Sequence, residues 1–213
     1  MGVRHVSTGD VSELGLFPLP LVLLPTERLP LHIFEDRYRE LIGECLAADT
    51  EFGLVYADDD GIRNIGTHAR VAEVLARFDD GRMDILVEGG GRFRLRELTT
   101  GRSFHTGSVS PVVDEEDPAG SESVELALGL FDRLRELTGS DVDVPDGDTP
   151  QLSFVLAGRV ELAPDVKLEL LEEISERARL TRVCELLEGA AKTVERQREA
   201  AERAATNGRV QLR

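Results

Sequence analysis

The 213-residue chain is somewhat longer than a typical domain of about 150 residues, so it holds one large domain or two small ones. Hydrophobic residues make up 41% of it, enough for a packed core, and a formal charge of −16 opposes the backbone of nucleic acid, which is excluded as a partner. Prolines and charges break the opening apolar stretch well short of the roughly 20 residues that cross a bilayer, and no basic cluster leads into an export-type core. The chain therefore reads as cytoplasmic, with no membrane partner.

Residues 1–13 lack periodicity and read as a flexible arm. From Leu14 to Leu24, short apolar segments are interrupted by Pro18 and Pro20, which points to an edge strand because proline cannot donate to a ladder. Pro25 and Pro30 bracket Thr26, Glu27, Arg28 and Leu29 as a short rigid loop. Phe34, Tyr38, Leu41, Ile42 and Cys45 then fall on one face of a helix, with Glu35, Asp36, Arg37, Arg39 and Glu40 on the other.

Phe52 to Ala57 reads as a strand and Asp58-Asp59-Asp60-Gly61 as a turn, since a calcium loop would need a later bidentate glutamate. Ile65 to Phe78 is β-prone and is followed by the hairpin signal Asp79-Asp80-Gly81. Met83, Ile85 and Val87 alternate with polar residues, as do Phe93 and Leu95, so both stretches fit antiparallel strands with one wet face. Gly89, Gly90 and Gly91 open no helix, so they predict a bulge or sharp corner and not a phosphate cradle. The period-two arginines 92, 94 and 96, with Arg102, read as a solvated face.

The four acids at 114–117, followed by Pro118, Ala119 and Gly120, repel one another and predict the most accessible connection in the chain. The pattern beyond is helical. Ala127, Leu130, Phe131, Leu134 and Leu137 make one stripe, closed by Gly139. Thr149 and Pro150 suit the N-cap and first position of a short helix, and Pro164 opens another carrying Leu170, Leu171 and Ile174. Leu180, Val183, Leu187, Ala190 and Val194 mark a long final helix. A β-rich part over 14–110, an acidic linker at 111–123, a helical domain at 124–195 and an exposed helical end and tail at 196–213 follow from this order.

No chemistry stands out. Cys45 and Cys184 sit among apolar neighbours as core thiols. Histidines 5, 32, 68 and 105 lack a second ligand at helical spacing, so no metal site and no cofactor are expected. Neither Lys167 nor Lys192 lies in a Gly-Lys-Ser/Thr phosphate loop.

LFPLPLVLLPTERLPLHIFEDRYRELI, IGTHARVAEVLARFDDGRMDILVEGGGRFRL and VKLELLEEISERARLTRVCELLE, in this order, resemble the N-terminal substrate-binding domain of the Lon protease family over roughly residues 14–195. The resemblance implies an α+β fold: a PUA-like antiparallel β-barrel with an inserted helix, followed by a C-terminal α-helical bundle. It also implies a non-catalytic module for unfolded or partly folded polypeptide segments, acting with a protease or chaperone. A full Lon protease adds an ATPase module and a Ser–Lys protease module, for which this sequence shows no motif, so a free-standing N-terminal domain is expected. The alternative is a scaffold or adaptor that docks folded partners in proteolysis or protein quality control. Leu23, Leu24 and Leu29, beside the prolines, are the candidate contacts, because an apolar loop held rigid loses little entropy on binding.

Overall fold

The computed structural model describes residues 12–207, so most of the arm read at 1–13 and the last six residues of the tail lie outside the described residues. Six strands form one sheet: β1 (Ser12–Leu19), β2 (Arg28–Ile33), β3 (Phe52–Asp58), β4 (Gly61–Arg77), β5 (Met83–Thr99) and β6 (His105–Val112). They run in the order β2-β5-β4-β3-β1-β6, and β5 also pairs with β6, so five strands form a closed cycle of pairings with β2 outside it. The length of β5 makes this possible. Its first half pairs with β2 through Met83–Glu88, and its second half pairs with β6 through Arg92–Thr99.

β1, which contains Pro18, is not the edge strand its sequence suggests: it lies parallel to β3 and antiparallel to β6. Pairing to β6 ends at Leu16, so Pro18 faces Val55 of β3 alone, and its missing N–H falls where no second ladder needs it. The edge is β2. Leu29, expected in a loop, is paired with Val87 inside that strand.

Helix α1 (Asp36–Ala48) buries Tyr38, Leu41, Ile42 and Cys45 against a core that includes Phe17, Leu23, Phe52, Leu54, Ile85 and Val87. Fully burying a side chain of this size is worth roughly 1.5–3 kcal/mol, which makes this stripe the main anchor of the helix. Asp49 ends it in the left-handed region, φ 52°, with its N–H on the Cys45 carbonyl.

The glycine triplet is a bulge within continuous β5: Arg92 pairs with Thr67 and Gly89 with Ala69, so Gly90 and Gly91 together oppose His68. Gly89 also exchanges backbone hydrogen bonds with the loop, accepting from Thr26 at 2.8 Å and donating to Glu27 at 2.9 Å. A Cβ on Gly89 would stand 2.1 Å from the Leu24 carbonyl oxygen. Gly89→Ala is therefore expected to destabilise the protein by about 2–3 kcal/mol through overpacking, read as a lower urea midpoint. Gly91→Ala, with open space around its Cβ, should change it little.

The chain divides into two compact units. The first holds the sheet, α1 and residues 157–174, including α4 (Pro164–Glu172). The sequence pattern groups this segment with the later helices; two long-range anchors place it with the sheet instead. Lys167 Nζ donates to Glu27 at 2.5 Å and to the Val22 carbonyl at 3.3 Å, while Glu27 also accepts from the Leu24 N–H at 2.8 Å. At the other end of α4, Arg92 donates to the carbonyls of Leu171 (2.6 Å) and Glu173 (2.8 Å) and pairs with Asp114. The orphan carbonyls and negative dipole end of a helix favour a cation there. Arg92 is only 4% exposed, so it is not part of a solvated strand face.

The second unit holds α2 (Ser121–Thr138), most of α3 (Leu152–Ala157) and α5 (Glu176–Asn207). The α2 residues Ala127, Phe131 and Leu134 are buried, as are Leu180, Val183, Leu187 and Ala191 of α5, which packs on α2. Gly139 closes α2 at φ 68°. Gln151 takes φ 52°, so α3 starts after it and Pro150 is not its first residue. Acids on either side of the boundary between the units have partners within their own unit. Asp114 pairs with Arg92, and Asp117 accepts from Ser175 Oγ at 2.7 Å and pairs with Arg177 at 2.9 Å. Among the described residues, no helix is long and apolar enough to cross a membrane.

Candidate functional site

The free edge of the sheet carries an exposed aromatic group. Successive residues of an antiparallel ladder point to opposite faces, so Leu29, Leu31 and Ile33 of β2 turn one way and Arg28, Pro30 and His32 the other. On that second face His32 lies opposite Asp84, and its Nδ1–H donates to Asp84 Oδ1 at 2.5 Å. Two phenylalanines flank the imidazole. Phe34 stacks on it with centroids 5.9 Å apart and planes 19° apart, and Phe78 meets it edge-on at 6.0 Å. Phe34 is 59% exposed and Phe78 41%.

Both phenylalanines are held by local chemistry. The helix begins at Asp36, with Glu35 extended at its N-terminus, so Phe34 sits between the end of β2 and the first helical turn and belongs to neither buried stripe. Phe78 opens the β4–β5 hairpin, where its N–H donates to the Arg82 carbonyl at 2.9 Å and its carbonyl accepts from Gly81 at 3.0 Å. The Arg82 guanidinium lies 5.5 Å from the Phe78 ring centroid. Arg39 of α1 ties helix to hairpin by donating to the Asp80 carbonyl at 2.5 Å. The rings thus stand on a braced corner.

Further along the same face, the rim is charged. Glu88 pairs with Arg28 at 2.9 Å and Arg70 at 3.0 Å. Burial acts to raise its pKa, but hydrogen bonds and charge from the two arginines outweigh that and hold the carboxyl below its usual value. An aromatic centre with a polar rim is the composition of a protein-contact surface.

The three leucines singled out by sequence fall elsewhere. Leu23 is 1% exposed and Leu24 is fully buried, so neither offers a surface in this structure. Leu29 is partly buried against the same core as Ile33 and Val87. It shares β2 with the aromatic group but points to the opposite face. Sequence periodicity placed Phe34 in the α1 stripe, where its four-residue spacing to Tyr38 fits. The signal against this is Glu35-Asp36, acidic residues that mark a first helical turn and leave Phe34 outside the helix.

The family profile of the ATP-dependent protease La (LON) substrate-binding domain matches residues 13–189. The chain belongs to that family. Lon protease 2 of Myxococcus xanthus is 28% identical over 192 residues, 79% of this chain and 23% of the relative. Lon protease of Rhizobium meliloti is 27% identical over 202 residues, 85% of this chain and 25% of its own length. The chain thus spans about a quarter of these curated relatives. A crystal structure of a Lon N-terminal domain protein from Xanthomonas campestris superposes with a TM-score of 0.64 at 27% identity, covering 81% of this chain and 96% of the other. The N-terminal domain of Mycobacterium avium complex Lon protease gives 0.65 at 19% identity, over 83% and 98%, and so supports the fold alone. Both of these solved structures are Lon N-terminal domains, and the fold they match here is mixed α+β.

Proposed function

We propose that this protein is a non-catalytic, cytoplasmic polypeptide-recognition module. Its sheet serves as a PUA-like barrel whose exposed aromatic corner, Phe34 with His32 and Phe78, holds apolar segments of unfolded or partly folded chains for a protease or chaperone. The observation that carries this reading is the corner itself: two phenylalanines around an imidazole, braced from below and open above. The family profile, described as substrate-binding, supports it. Two unpaired, buried thiols, Cys45 and Cys184, suit a reducing compartment, and the −16 charge disfavours nucleic acid.

Capture runs through side chains. Pro30 removes a donor from the free edge of β2, which blunts that edge against strand addition. The variant Phe34→Ser/Phe78→Ser removes two exposed rings, so it should bind reduced, carboxymethylated α-lactalbumin about 10–100-fold more weakly, as expected for truncating two aromatic contacts. Its urea midpoint should stay near wild type. Leu29→Asp should instead lose stability, because that side chain packs on the core. Isothermal titration together with urea unfolding separates the two effects. If the wild type does not bind the unfolded protein, the recognition reading falls and a scaffold or adaptor for folded partners takes its place.

A further inference from the structure

A cleft of about 360 Å³ opens in the first unit between β1, the C-terminal half of α1 and the start of β6. Its floor is apolar: Leu14, Leu41, Cys45 and Phe104. Gly15 sets its shape, since a Cβ there would lie 2.5 Å from Leu41 Cδ1 and 3.2 Å from Phe104 Cε2. The rim carries three carboxylates, Glu13, Glu44 and Glu51, and one cation, Arg102. The size is near the lower end of ligand cavities, which run from about 300 to 1,000 Å³, and suits a single side chain better than a large cofactor.

The charges decide which side chain. Arg102 is already engaged: it pairs with Glu44 and with Glu40 at 3.6 Å, and its guanidinium lies 4.6 Å from the Phe104 ring centroid. That contact shows the cleft wall accommodating a guanidinium between an aromatic face and carboxylates. Glu13 receives a neutral donor, Thr99 Oγ1 at 2.9 Å. Glu51 lies 3.4 Å from His68 Nδ1, which makes no hydrogen bond. Burial holds the His68 pKa below its usual value against the pull of Glu51, so the imidazole is neutral near pH 7 and leaves the Glu51 charge uncancelled. A neighbouring hollow that shares Cys45, Thr50 and Glu51 brings in Asp49, a further carboxylate, and Arg70, whose guanidinium is paired with Glu88. Anions are repelled from such a rim. Among the described residues, no group of three His, Cys, Asp or Glu side chains is placed to hold a metal ion.

We propose that this cleft seats an arginine or lysine side chain of a bound polypeptide, with the aliphatic stem on Leu41 and Phe104 and the cationic head between Glu13 and Glu51. The site rests on the polypeptide-recognition reading and deepens it: segments that combine a basic residue with apolar ones are preferred over purely apolar ones. Long basic side chains present this pair of surfaces, an apolar body and a charged tip.

The test uses two fluorescein-labelled 14-residue peptides of Gly, Ser and two Phe that differ only at one central position, arginine or its uncharged isostere citrulline. Fluorescence anisotropy with the full chain should show the arginine peptide binding at least about tenfold more tightly at low salt, with the gap narrowing as salt is raised. In Glu13→Gln/Glu51→Gln the gap should fall below about threefold, while the citrulline peptide binds as before. Phe34→Ser/Phe78→Ser should weaken both peptides alike. Equal binding of the two peptides to wild type overturns the cleft assignment and leaves the aromatic corner standing, a comparison that needs no variant to fold. A gap that persists in the double glutamine variant also overturns the cleft. Failure of wild type to bind either peptide overturns the recognition reading together with the cleft.

Discussion

Replacing Arg92 with methionine is expected to cost about 3–5 kcal/mol of stability, the range for removing one partner of a buried ion pair. Its guanidinium is buried, donates to the Leu171 and Glu173 carbonyls and pairs with the Asp114 carboxylate. Methionine fills similar space but donates nothing, so two carbonyls at the end of α4 and a half-buried carboxylate lose their strongest donor together. Lysine restores the charge without the planar fork and should recover only part of the loss. Equilibrium urea unfolding measures the cost, and hydrogen exchange across α4 shows where it falls: amides of residues 165–172 should lose protection first. Arg96→Met on the same strand, which gives up one bond to Ser110 Oγ, should cost no more than about 1 kcal/mol. Equal effects at 92 and 96 would return Arg92 to the solvated face.

Arg92 also marks where sequence reading stops. Elements set by neighbours a few residues apart are legible: the Tyr38-to-Cys45 stripe, the Asp79-Asp80-Gly81 hairpin, the alternation at Met83, Ile85 and Val87, Gly139 at the end of α2 and Pro164 at the start of α4. Period two made arginines 92, 94 and 96 equivalent. What separates Arg92 is the arrival of α4, whose Leu171 lies 79 residues along the chain. No local pattern encodes that encounter. The same holds for α4 itself, which is tied to the loop before β2 by a lysine–glutamate contact spanning 140 residues.

The exposed aromatic corner, the proposed contact surface, was hidden for a different reason. A rule that apolar residues go inside correctly buries Leu23 and Leu24, and by the same logic sends Phe34 inward. Exposure of Phe34 depends on the helix starting two residues later, a shift smaller than the accuracy with which helix ends can be placed. Phe78 carried no stripe to judge it by. Its pairing with His32 joins residues 46 positions apart across the β2–β5–β4 ladder, visible only once the register is known.

Arg179→Met in the second unit should be comparably severe, at about 3–5 kcal/mol, because Arg179 is fully buried and its guanidinium pairs with the Glu176 carboxylate. Its Nε donates to Ser153 Oγ at 2.7 Å, its Nη2 pairs with Glu176 at 2.5 Å, and the guanidinium lies 3.9 Å from the Phe154 ring centroid. Glu176 in turn accepts from the Ser153 N–H at 2.9 Å and hydroxyl at 2.7 Å, so one carboxylate ties the start of α3 to the first turn of α5. Without Arg179, that carboxylate stays inside with only neutral donors. The diagnostic variant is therefore the pair: Arg179→Met with Glu176→Gln removes both charges and keeps an acceptor for Ser153, and should regain at least about 1–2 kcal/mol over Arg179→Met alone, since the larger part of the penalty is the unpaired charge. Urea unfolding of wild type, both single variants and the double variant closes the cycle. A double variant as unstable as the sum of the singles would show that the network acts by shape and packing around Phe154, and not by charge.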